Sequence, residues 1–421
     1  MRKLKICLIG KYPPHKGGTA AANYWFARAL GESGHEVHVV TDPTEKEKNY
    51  LHGMDEGLLA DLQPKNVFLH EAEPAASLNS KTCALASLAV DVIEKNSIEL
   101  IYSKYFIPYG VAGFLAKTMT GKPLVLMHAG SDLAFLRPGN AFEPLAAKLL
   151  QNADKIVMSA EETIDFKRLG LDKKKIALQS DFGLNLKSIS KEKTKAFLEK
   201  NGLPKGKPII GLFGKTAHKG IGELFEALAE IKNKDFLLLA IPEDDREREA
   251  IRRQAAEKGI GQKTIVLGYQ PPWELPSVYN SLAALVATEV GFPVKAHTPL
   301  AAIEALYLGK CTVISEETSK KPFFRQFKDC ESILVVNPKD TGAYAKKLKW
   351  VLEHAGESEK IGQNAKKTQG LLDGKKFVEK FAELFLETAG ECEGKSPTEK
   401  NGSAAAGQDS WITALKNQSL D

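Results

Sequence analysis

The chain has 421 residues, 43% of them hydrophobic and 26% charged, which excludes a disordered, collagenous or coiled-coil protein over most of its length. Its length favours two domains, because single hydrophobic cores stop growing near about 250–300 residues. There are 58 basic and 53 acidic residues, and the surplus of +5 is too small to indicate nucleic acid binding. The five cysteines are widely spaced, so they indicate neither a disulfide framework nor a zinc site and fit a reducing cytoplasm.

The apolar runs are too short for membrane insertion. The N-terminal run is shorter than a signal-peptide core, and the longest apolar stretch, "YFIPYGVAGFLAK", is interrupted by Pro108 and Gly110. We therefore expect a cytoplasmic protein, with any membrane contact being peripheral and at the inner face. The oligomeric state stays open.

The first half of the chain alternates strands and helices. An apolar run at residues 6–9 is followed by a glycine-rich turn, an amphipathic stretch and a β-branched run at 35–41. This order is typical of the opening of a doubly wound parallel sheet. Four later apolar runs continue it, and they predict one α/β domain over residues 1–186: "IELIYS", "KPLVLMHAG", "KIVMSA" and "KIALQS".

A lysine-rich stretch at 187–206 predicts a helix and linker, after which the same alternation restarts. The runs "PIIGLFG", "DFLLLAIP" and "KTIVLGY" predict strands of a second α/β domain over residues 207–370. A helix is expected over 371–390. The polar, glycine- and serine-containing segment 391–421 predicts a disordered tail.

The segment "GLFGKTAHKG" links a predicted strand to a helix that begins near Gly220. It is not a P-loop, because the glycine that opens such a loop would fall on Ile209. Lys215, Lys219 and the helix N-terminus converge there, which suits a diphosphate. The alternative is that both lysines are solvated.

The segment "EVGFPVKAHTPLAAIEALYLGK" predicts a helix with Thr298 as N-cap and Pro299 at its first position. His297 and Thr298 would then stand at the helix start. Glu304 lies in this helix among apolar neighbours, so we expect a buried carboxylate that needs a partner. That partner is either the hydroxyls of a ribose or a lysine.

Two further segments follow predicted strands. "LVLMHAGSDL" places His128 and Asp132 just past a buried strand, where α/β proteins carry functional groups. Asp132 is also explained as a helix cap, whereas His128 has no such structural role. In "KYPPHKGGTAAANYW", Gly17 and Gly18 open the first helix and would let a ligand approach the backbone.

Taken in order, these motifs resemble retaining glycosyltransferases of the GT-B fold, family 4, over roughly residues 5 to 385. The resemblance rests on "YPPHKGGTAAANYWFARALGESGHEVHVVT", "HAGSDL", "ADKIVMSAEET", "SDFGLNL", "GKTAHKG" and "HTPLAAIEALYLGKCTVIS". It implies two Rossmann-like doubly wound parallel-sheet domains that face a cleft. Residues 1–186 would bind the acceptor, residues 207–370 the nucleotide-sugar donor, and the helix at 371–390 would pack back on the N-terminal domain.

The resemblance also implies roles for the donor-domain residues. Lys215 and Lys219 match the basic pair that binds the donor diphosphate, and Glu304 matches the glutamate that binds the nucleotide ribose. The family's other glutamate would fall on Ala296, a departure from the pattern. Either Glu289 represents that glutamate displaced by an insertion, or His297 contacts the donor sugar instead.

In the N-terminal domain, His128 matches the family's histidine at the donor sugar, and Gly17 and Gly18 match the loop that approaches the phosphates. The implied reaction moves a sugar from a nucleotide-diphosphate sugar to an acceptor hydroxyl with retention of configuration. No metal and no cofactor beyond the donor co-substrate are expected, because no Asp-x-Asp motif occurs and "EDDRE" at 243–247 is read as a solvated helix start.

The acceptor class stays open between glycan, lipid and small molecule, and a role in cell-surface glycan or glycolipid synthesis is one expectation. Ala296 motivates an alternative, a catalytically altered relative that binds a nucleotide sugar or glycan. An epimerase of the same shape is another. A nicotinamide-dependent oxidoreductase is disfavoured because Gly-x-Gly-x-x-Gly is absent from both glycine-rich turns.

Overall fold

A computed structural model gives the structure of the protein, and it describes residues 2–158, 167–178, 191–214, 218–292, 298–368 and 374–393. Two parallel sheets organise these residues, one in each half of the chain. The expected pair of doubly wound α/β domains is therefore confirmed.

The N-terminal sheet has seven strands in the order β3-β2-β1-β4-β5-β6-β7. Their bounds are β1 Lys5–Ile9, β2 Glu36–Thr41, β3 Val67–Glu71, β4 Leu100–Lys104, β5 Leu124–Met127, β6 Lys155–Met158 and β7 Ile176–Leu178. The strand order reverses between β1 and β4, and ligands of open parallel sheets bind beyond the carboxyl ends of strands at such a point.

The C-terminal sheet has six strands in the order β10-β9-β8-β11-β12-β13. Their bounds are β8 Ile209–Phe213, β9 Leu237–Ile241, β10 Thr264–Val266, β11 Ala284–Ala287, β12 Cys311–Ser315 and β13 Leu334–Val336. The order reverses between β8 and β11, so the loops after these two strands form the matching edge of the second domain.

Fifteen α-helices lie among the described residues, most of them covering the sheet faces. They are α1 Gly18–Glu32, α2 Glu45–Lys48, α3 Glu56–Ala60, α4 Leu78–Asn96, α5 Val111–Thr120, α6 Glu143–Asn152, α7 Lys191–Lys200, α8 Ile221–Glu230, α9 Asp245–Glu257, α10 Leu275–Asn280, α11 Leu300–Tyr307, α12 Glu316–Ser319, α13 Thr341–Glu353, α14 Ala355–Lys367 and α15 Gly374–Glu393. None of the helices described is long and apolar enough to cross a membrane.

Helix α15 lies against the N-terminal domain through an aromatic cluster. The rings of Phe381 and Phe385 lie 4.9 and 6.2 Å from that of Phe26 on α1, and Phe385 also lies 5.5 Å from Tyr102 on β4. Phe385 is fully buried. The end of the chain thus adds core volume to the first domain, while residues 394–421, most of the tail expected to be disordered, lie outside the described residues.

One local prediction is wrong. Thr298 does not cap α11, because Pro299 holds the N-cap position, the helix begins at Leu300 and no side-chain cap hydrogen bond forms. The sequence also predicts that this helix runs to Gly309, whereas it ends at Tyr307. Proline fixes its own φ near the helical value, so it fits the cap as well as the first turn.

Candidate active site

The loop after β1 reaches the second domain. Gly17 is the N-cap of α1 with φ of 100°, and a Cβ at this position would lie 2.9 Å from Glu243 Oε1. The Gly17 backbone also hydrogen-bonds the hydroxyl of Tyr269, which follows β10. A Cβ on Gly18 would stand 3.5 Å from Leu300, the first residue of α11. Gly17 is therefore favoured by its backbone angle, since the Glu243 carboxylate is the end of a flexible side chain that can move away from a Cβ.

The loop after β8 carries Lys219, which is only 7% exposed. Its ammonium group donates to the Phe213 carbonyl, and burial lowers the pKa of Lys219 against the opposing charges of Glu289, Glu247 and Glu243. The alternative of a solvated lysine is thus wrong for Lys219. Lys215 lies outside the described residues.

Helix α8 begins directly after this lysine, as the sequence predicts. Gly220 is its N-cap in the left-handed conformation, with φ of 60°. The Thr288 hydroxyl donates to the Lys219 carbonyl over 3.1 Å, and the Val290 N–H donates to the His218 carbonyl over 2.8 Å. These bonds join the loops after β8 and β11 at the switch point of the sheet.

Glu289 follows β11 and is buried, and its charge acts on Lys219. Its carboxylate lies 3.6 Å from the ammonium group of Lys321, which is itself only 8% exposed. Burial lowers the pKa of Lys321, while Glu289 opposes this. His297 and Ala296 lie outside the described residues. Of the two candidates for the family's other glutamate, only Glu289 is therefore described, and its charge acts on Lys219.

Glu304 is buried on α11, with 2% of its surface exposed. Its Oε2 accepts a hydrogen bond of 2.6 Å from the hydroxyl of Tyr279 on α10, and its Oε1 has no hydrogen-bond partner among the residues described. Burial raises the pKa of Glu304 to about 7, and the Tyr279 bond opposes this. Within the described residues the partner of Glu304 is therefore a tyrosine and not a lysine, and its buried Oε1 has no partner there.

Glu304 and the first loop share one neighbourhood. Glu304 and Glu243 both add to the raised pKa of Tyr269, whose first cause is burial, and Tyr269 bonds the Gly17 backbone. Lys16 lies 5.9 Å from the ring centres of both Tyr269 and Tyr50, which joins the two domains by cation–π contacts.

His128 stands at the carboxyl edge of the N-terminal sheet and is 8% exposed. Its Nδ1 accepts a 2.9 Å hydrogen bond from the Gly130 N–H, which assigns the ring proton to Nε2. Asp132 is not a helix cap: it accepts from the N–H groups of Ala129 and Phe106, each at 2.9 Å. It thereby fixes the loop that carries His128.

Sequence reasoning missed Tyr279, Lys321 and the role of Glu243. Tyr279 lies in the six-residue helix α10, and no local signal connects it to a glutamate on another helix. Glu243 was assigned to a solvated helix start, yet it lies at the Gly17 backbone. The described residues contain no group of three or more His, Cys, Asp or Glu side chains that could hold a metal ion.

The two sheets with contacting carboxyl-edge loops define the GT-B fold. A family model described as "Glycosyl transferase 4-like" matches residues 5–160, and one described as "Glycosyl transferases group 1" matches residues 193–368. The two matches cover the two domains in turn, and the chain accordingly belongs among the GT-B glycosyltransferases.

Individual relatives are distant. Over 215 residues the chain is 25% identical to a 2-deoxystreptamine N-acetyl-D-glucosaminyltransferase of Streptomyces fradiae, covering 47% of this chain and 50% of that protein. It is 21% identical to an N-acetyl-alpha-D-glucosaminyl L-malate synthase of Bacillus anthracis over 36% of this chain and 38% of that one. The matched region thus spans half or less of these relatives.

Solved structures extend the likeness to the whole fold. An Anabaena protein, HepE, solved with UDP and glucose, superposes with a TM-score of 0.67 at 17% identity, covering 91% of this chain and 100% of that one. At this identity the likeness shows the fold alone.

Proposed function

We propose that the protein transfers a sugar from a nucleoside-diphosphate sugar to an acceptor hydroxyl with retention of configuration. The observation that carries the proposal is Glu304, a buried carboxylate with one oxygen held by Tyr279 and the other unpartnered among the described residues. Such a group is costly unless a ligand completes its hydrogen bonds. A ribose diol supplies two donors and fits this role.

The diphosphate would lie at the start of α8, where Lys219 and backbone N–H groups offer positive charge. Lys215 would add a second ammonium group from the same loop. As the bond to the leaving diphosphate breaks, these groups stabilise the charge that collects on its oxygens. On this proposal no metal is needed for that task.

The sugar would lie between the two domains. The Nε2–H of His128 can donate to a sugar oxygen, and Glu289 can accept from sugar hydroxyls. The bond from the anomeric carbon to the diphosphate breaks while the bond to the acceptor oxygen forms on the same face. The departing diphosphate takes the acceptor proton, which balances the step.

A thermal-shift screen with UDP, GDP and ADP tests the donor site. We expect one nucleotide to raise the melting temperature of the wild type and to lose this effect in the Lys215→Ala/Lys219→Ala variant. The sugar nucleotide of that base is then offered with acceptors, and the product anomer is read by NMR. If none of the nucleotides stabilises the wild type, the proposal fails.

The alternative of a binding protein without turnover is motivated by Ala296. The buried Glu289 beside Lys219 favours the enzyme instead, because a carboxylate of this motif is retained. Turnover of the donor that stops in Lys219→Ala would exclude the binding-only alternative. Sugar-nucleotide conversion without an acceptor would indicate an epimerase. We also propose a cell-surface glycan or glycolipid product, which the same acceptor screen tests. A peripheral membrane location is a further proposal.

A further inference from the structure

His15 is a buried histidine in the loop between β1 and α1, and only 2% of its surface is exposed. The two residues that follow it contact the second domain. Lys16 lies 5.9 Å from the ring centre of Tyr269, and the Gly17 backbone hydrogen-bonds the Tyr269 hydroxyl. Whatever fixes His15 therefore also places this contact between the domains.

Both ring nitrogens of His15 face carboxylate oxygens. Nδ1 lies 2.7 Å from Glu47 Oε1 on α2, and Nε2 lies 3.1 Å from Asp42 Oδ1, directly after β2. A neutral imidazole has one N–H donor and one acceptor, so it can bond only one ionised carboxylate. Between two ionised carboxylates, His15 carries a proton on each nitrogen and is an imidazolium ion.

Glu47 is ionised, because other donors hold its second oxygen. Its Oε2 accepts from the backbone N–H of Thr44 at 2.9 Å and from the Thr44 hydroxyl at 3.0 Å. Burial raises the pKa of Glu47, but the bonds from His15 and Thr44 outweigh burial and lower this pKa to about 2. Glu47 therefore accepts a proton bond from His15 Nδ1 and does not donate one.

Asp42 is held by two donors from other elements. Its Oδ1 accepts from the hydroxyl of Tyr109, which precedes α5, at 2.9 Å, and its Oδ2 forms a 2.5 Å ion pair with Lys81 on α4. Burial raises the pKa of Tyr109, so this hydroxyl keeps its proton and stays a donor. A further cation of the β1 loop, Lys11, is close enough for its charge to act on Lys81. Asp42 is thus a carboxylate in a cationic neighbourhood.

Glu47 joins His15 to a second part of the domain contact. Tyr50 follows α2, its ring lies 5.0 Å from the ring of Tyr269, and Lys16 lies 5.9 Å from the Tyr50 ring centre. If His15 loses one ring proton, an unprotonated nitrogen faces a carboxylate, and the two repel each other. The loop after β1 and the segment after α2 then lose their shared anchor beside Tyr269.

We propose that His15, as an imidazolium ion between Asp42 and Glu47, is a positioning residue for the proposed reaction. It holds the loop after β1 and the segment after α2 against the donor domain, and it releases them as the pH rises and the ring loses a proton. The inference rests on the proposed function, because it requires the two domains to enclose a donor. Its pH dependence is opposite to that of Glu304, which ionises as the pH rises.

The protonation state is tested first, on the protein without ligand. Two-bond ¹H–¹⁵N spectra of ¹⁵N-histidine-labelled protein near about pH 7 distinguish an imidazolium ring from either neutral tautomer. The His15 signals are those that His15→Gln removes, and we expect protons on both nitrogens. His35 is the internal control, because it is equally buried but its Nδ1 accepts from the Leu4 N–H at 3.2 Å, so its ring should be neutral. A neutral ring at His15 would overturn the inference.

The second test follows the loop by hydrogen exchange and mass spectrometry from about pH 5 to about pH 9, with rates corrected for intrinsic exchange. In the wild type, protection of the amides of residues 15–18 should fall about 10- to 100-fold as the pH rises, because a charge-assisted bond is lost. His15→Gln should show low protection at every pH. His52→Gln, at an exposed histidine after α2, should keep the wild-type profile.

Glu47→Gln gives a second variant at a half-buried position, which decides the matter if His15→Gln does not fold. It keeps an acceptor for His15 Nδ1 and removes the charge, so the midpoint of the exchange profile should move to lower pH. A wild-type profile without a pH-dependent fall, or a Glu47→Gln profile identical to it, would overturn the inference.

The third test connects the loop to the donor. UDP, GDP and ADP are titrated calorimetrically into the wild type and His15→Gln over the same pH range. The ratio of the two affinities should fall about tenfold as the pH rises, and it cancels the titration of Glu304, which both proteins share. A constant ratio for a nucleotide that binds would overturn the positioning role. If no nucleotide binds, the proposed function fails, while the spectra and exchange profiles still decide the state of His15.

Discussion

The hydrogen bond from Tyr279 to Glu304 gives the sharpest test of the donor site. Tyr279→Phe removes only the hydroxyl that donates to Oε2 and leaves the ring packed. The bond holds down the pKa of Glu304, which burial raises to about 7, so its loss should raise that pKa further. A bond to a charged group contributes about 1.5–3 kcal/mol, and one pKa unit corresponds to about 1.4 kcal/mol, so a rise of about one to two units is expected.

The higher pKa of Glu304 in Tyr279→Phe predicts weaker nucleotide binding near neutral pH. At about pH 7 the ionised fraction of Glu304 would fall from about one half to between about 10% and 1%. If the ionised carboxylate accepts from the ribose, nucleotide affinity at that pH falls about 5- to 50-fold and recovers as the pH rises toward about 9. The loss is thus a shift of the pH profile rather than a uniform weakening.

Isothermal titration of the nucleoside diphosphate that binds, from about pH 6 to about pH 9, measures both profiles. Tyr102→Phe is the matched control, because this buried hydroxyl donates to Met127 Sδ over 3.2 Å in the N-terminal domain instead. A 2′,3′-dideoxy form of the same nucleotide should abolish the difference between wild type and Tyr279→Phe. Superimposable profiles, or an equal penalty with the dideoxy ligand, would refute the assignment of Glu304 to the ribose.

Four further outcomes follow from the same contacts. Gly17→Ala should cost about 1–2 kcal/mol in urea unfolding, because its φ of 100° opposes a Cβ, whereas Gly18→Ala should stay within about 0.5 kcal/mol; equal costs would contradict this. Lys219→Met should weaken nucleoside diphosphate binding about 10- to 100-fold by calorimetry, against no change in the surface variant Lys258→Met. Phe385→Ala should lower the free energy of unfolding by about 3–5 kcal/mol, and Lys375→Ala by less than about 0.5 kcal/mol; a small loss at Phe385 would mean that α15 is not part of the core. Glu304→Gln should be more stable than the wild type above about pH 7, by on the order of 3 kcal/mol, since the folded pKa of about 7 exceeds the usual 4.5; the difference should fade as the pH falls toward 4.5, and its persistence there would oppose the pKa assignment.

Most of the sheet architecture could be predicted, because buried parallel strands are continuous apolar runs. Strands β8 and β9 are fully buried and lie within the runs "PIIGLFG" and "DFLLLAIP". Strand β3 escaped prediction because it is an edge strand with mixed exposure, and "VFLHE" carries no such run. Strand β13 was also missed, although it lies in the apolar run "ILVV"; its length of three residues is not the reason, because β7 and β10 are equally short.

The candidate site likewise contains residues that a local sequence pattern predicts and residues that it does not. The positions of Lys219, Glu304 and His128 in the fold could be predicted, because each lies in a recognisable strand, loop or helix pattern, while their roles stay predictions. Tyr279 could not, since its partner lies 25 residues away on another helix and the contact depends on the crossing of α10 and α11. Glu243 and Gly17 meet only because the two domains come together, and no spacing within one segment encodes that approach.

Several unfavourable features of this protein lie near the edge where the domains meet. Glu304 has a raised pKa, Lys219 and Lys104 have lowered ones, and Gly17 holds a left-handed backbone against a neighbouring carboxylate. Away from this edge, exposed charges such as Lys95 and Asp91 are simply paired. Each such group lowers the stability of the unliganded fold. A ligand that pairs with one of these groups should therefore raise the free energy of unfolding. Ligands of the two domains should therefore stabilise the protein additively, because Glu304 and Lys104 belong to different domains and no contact couples them among the described residues.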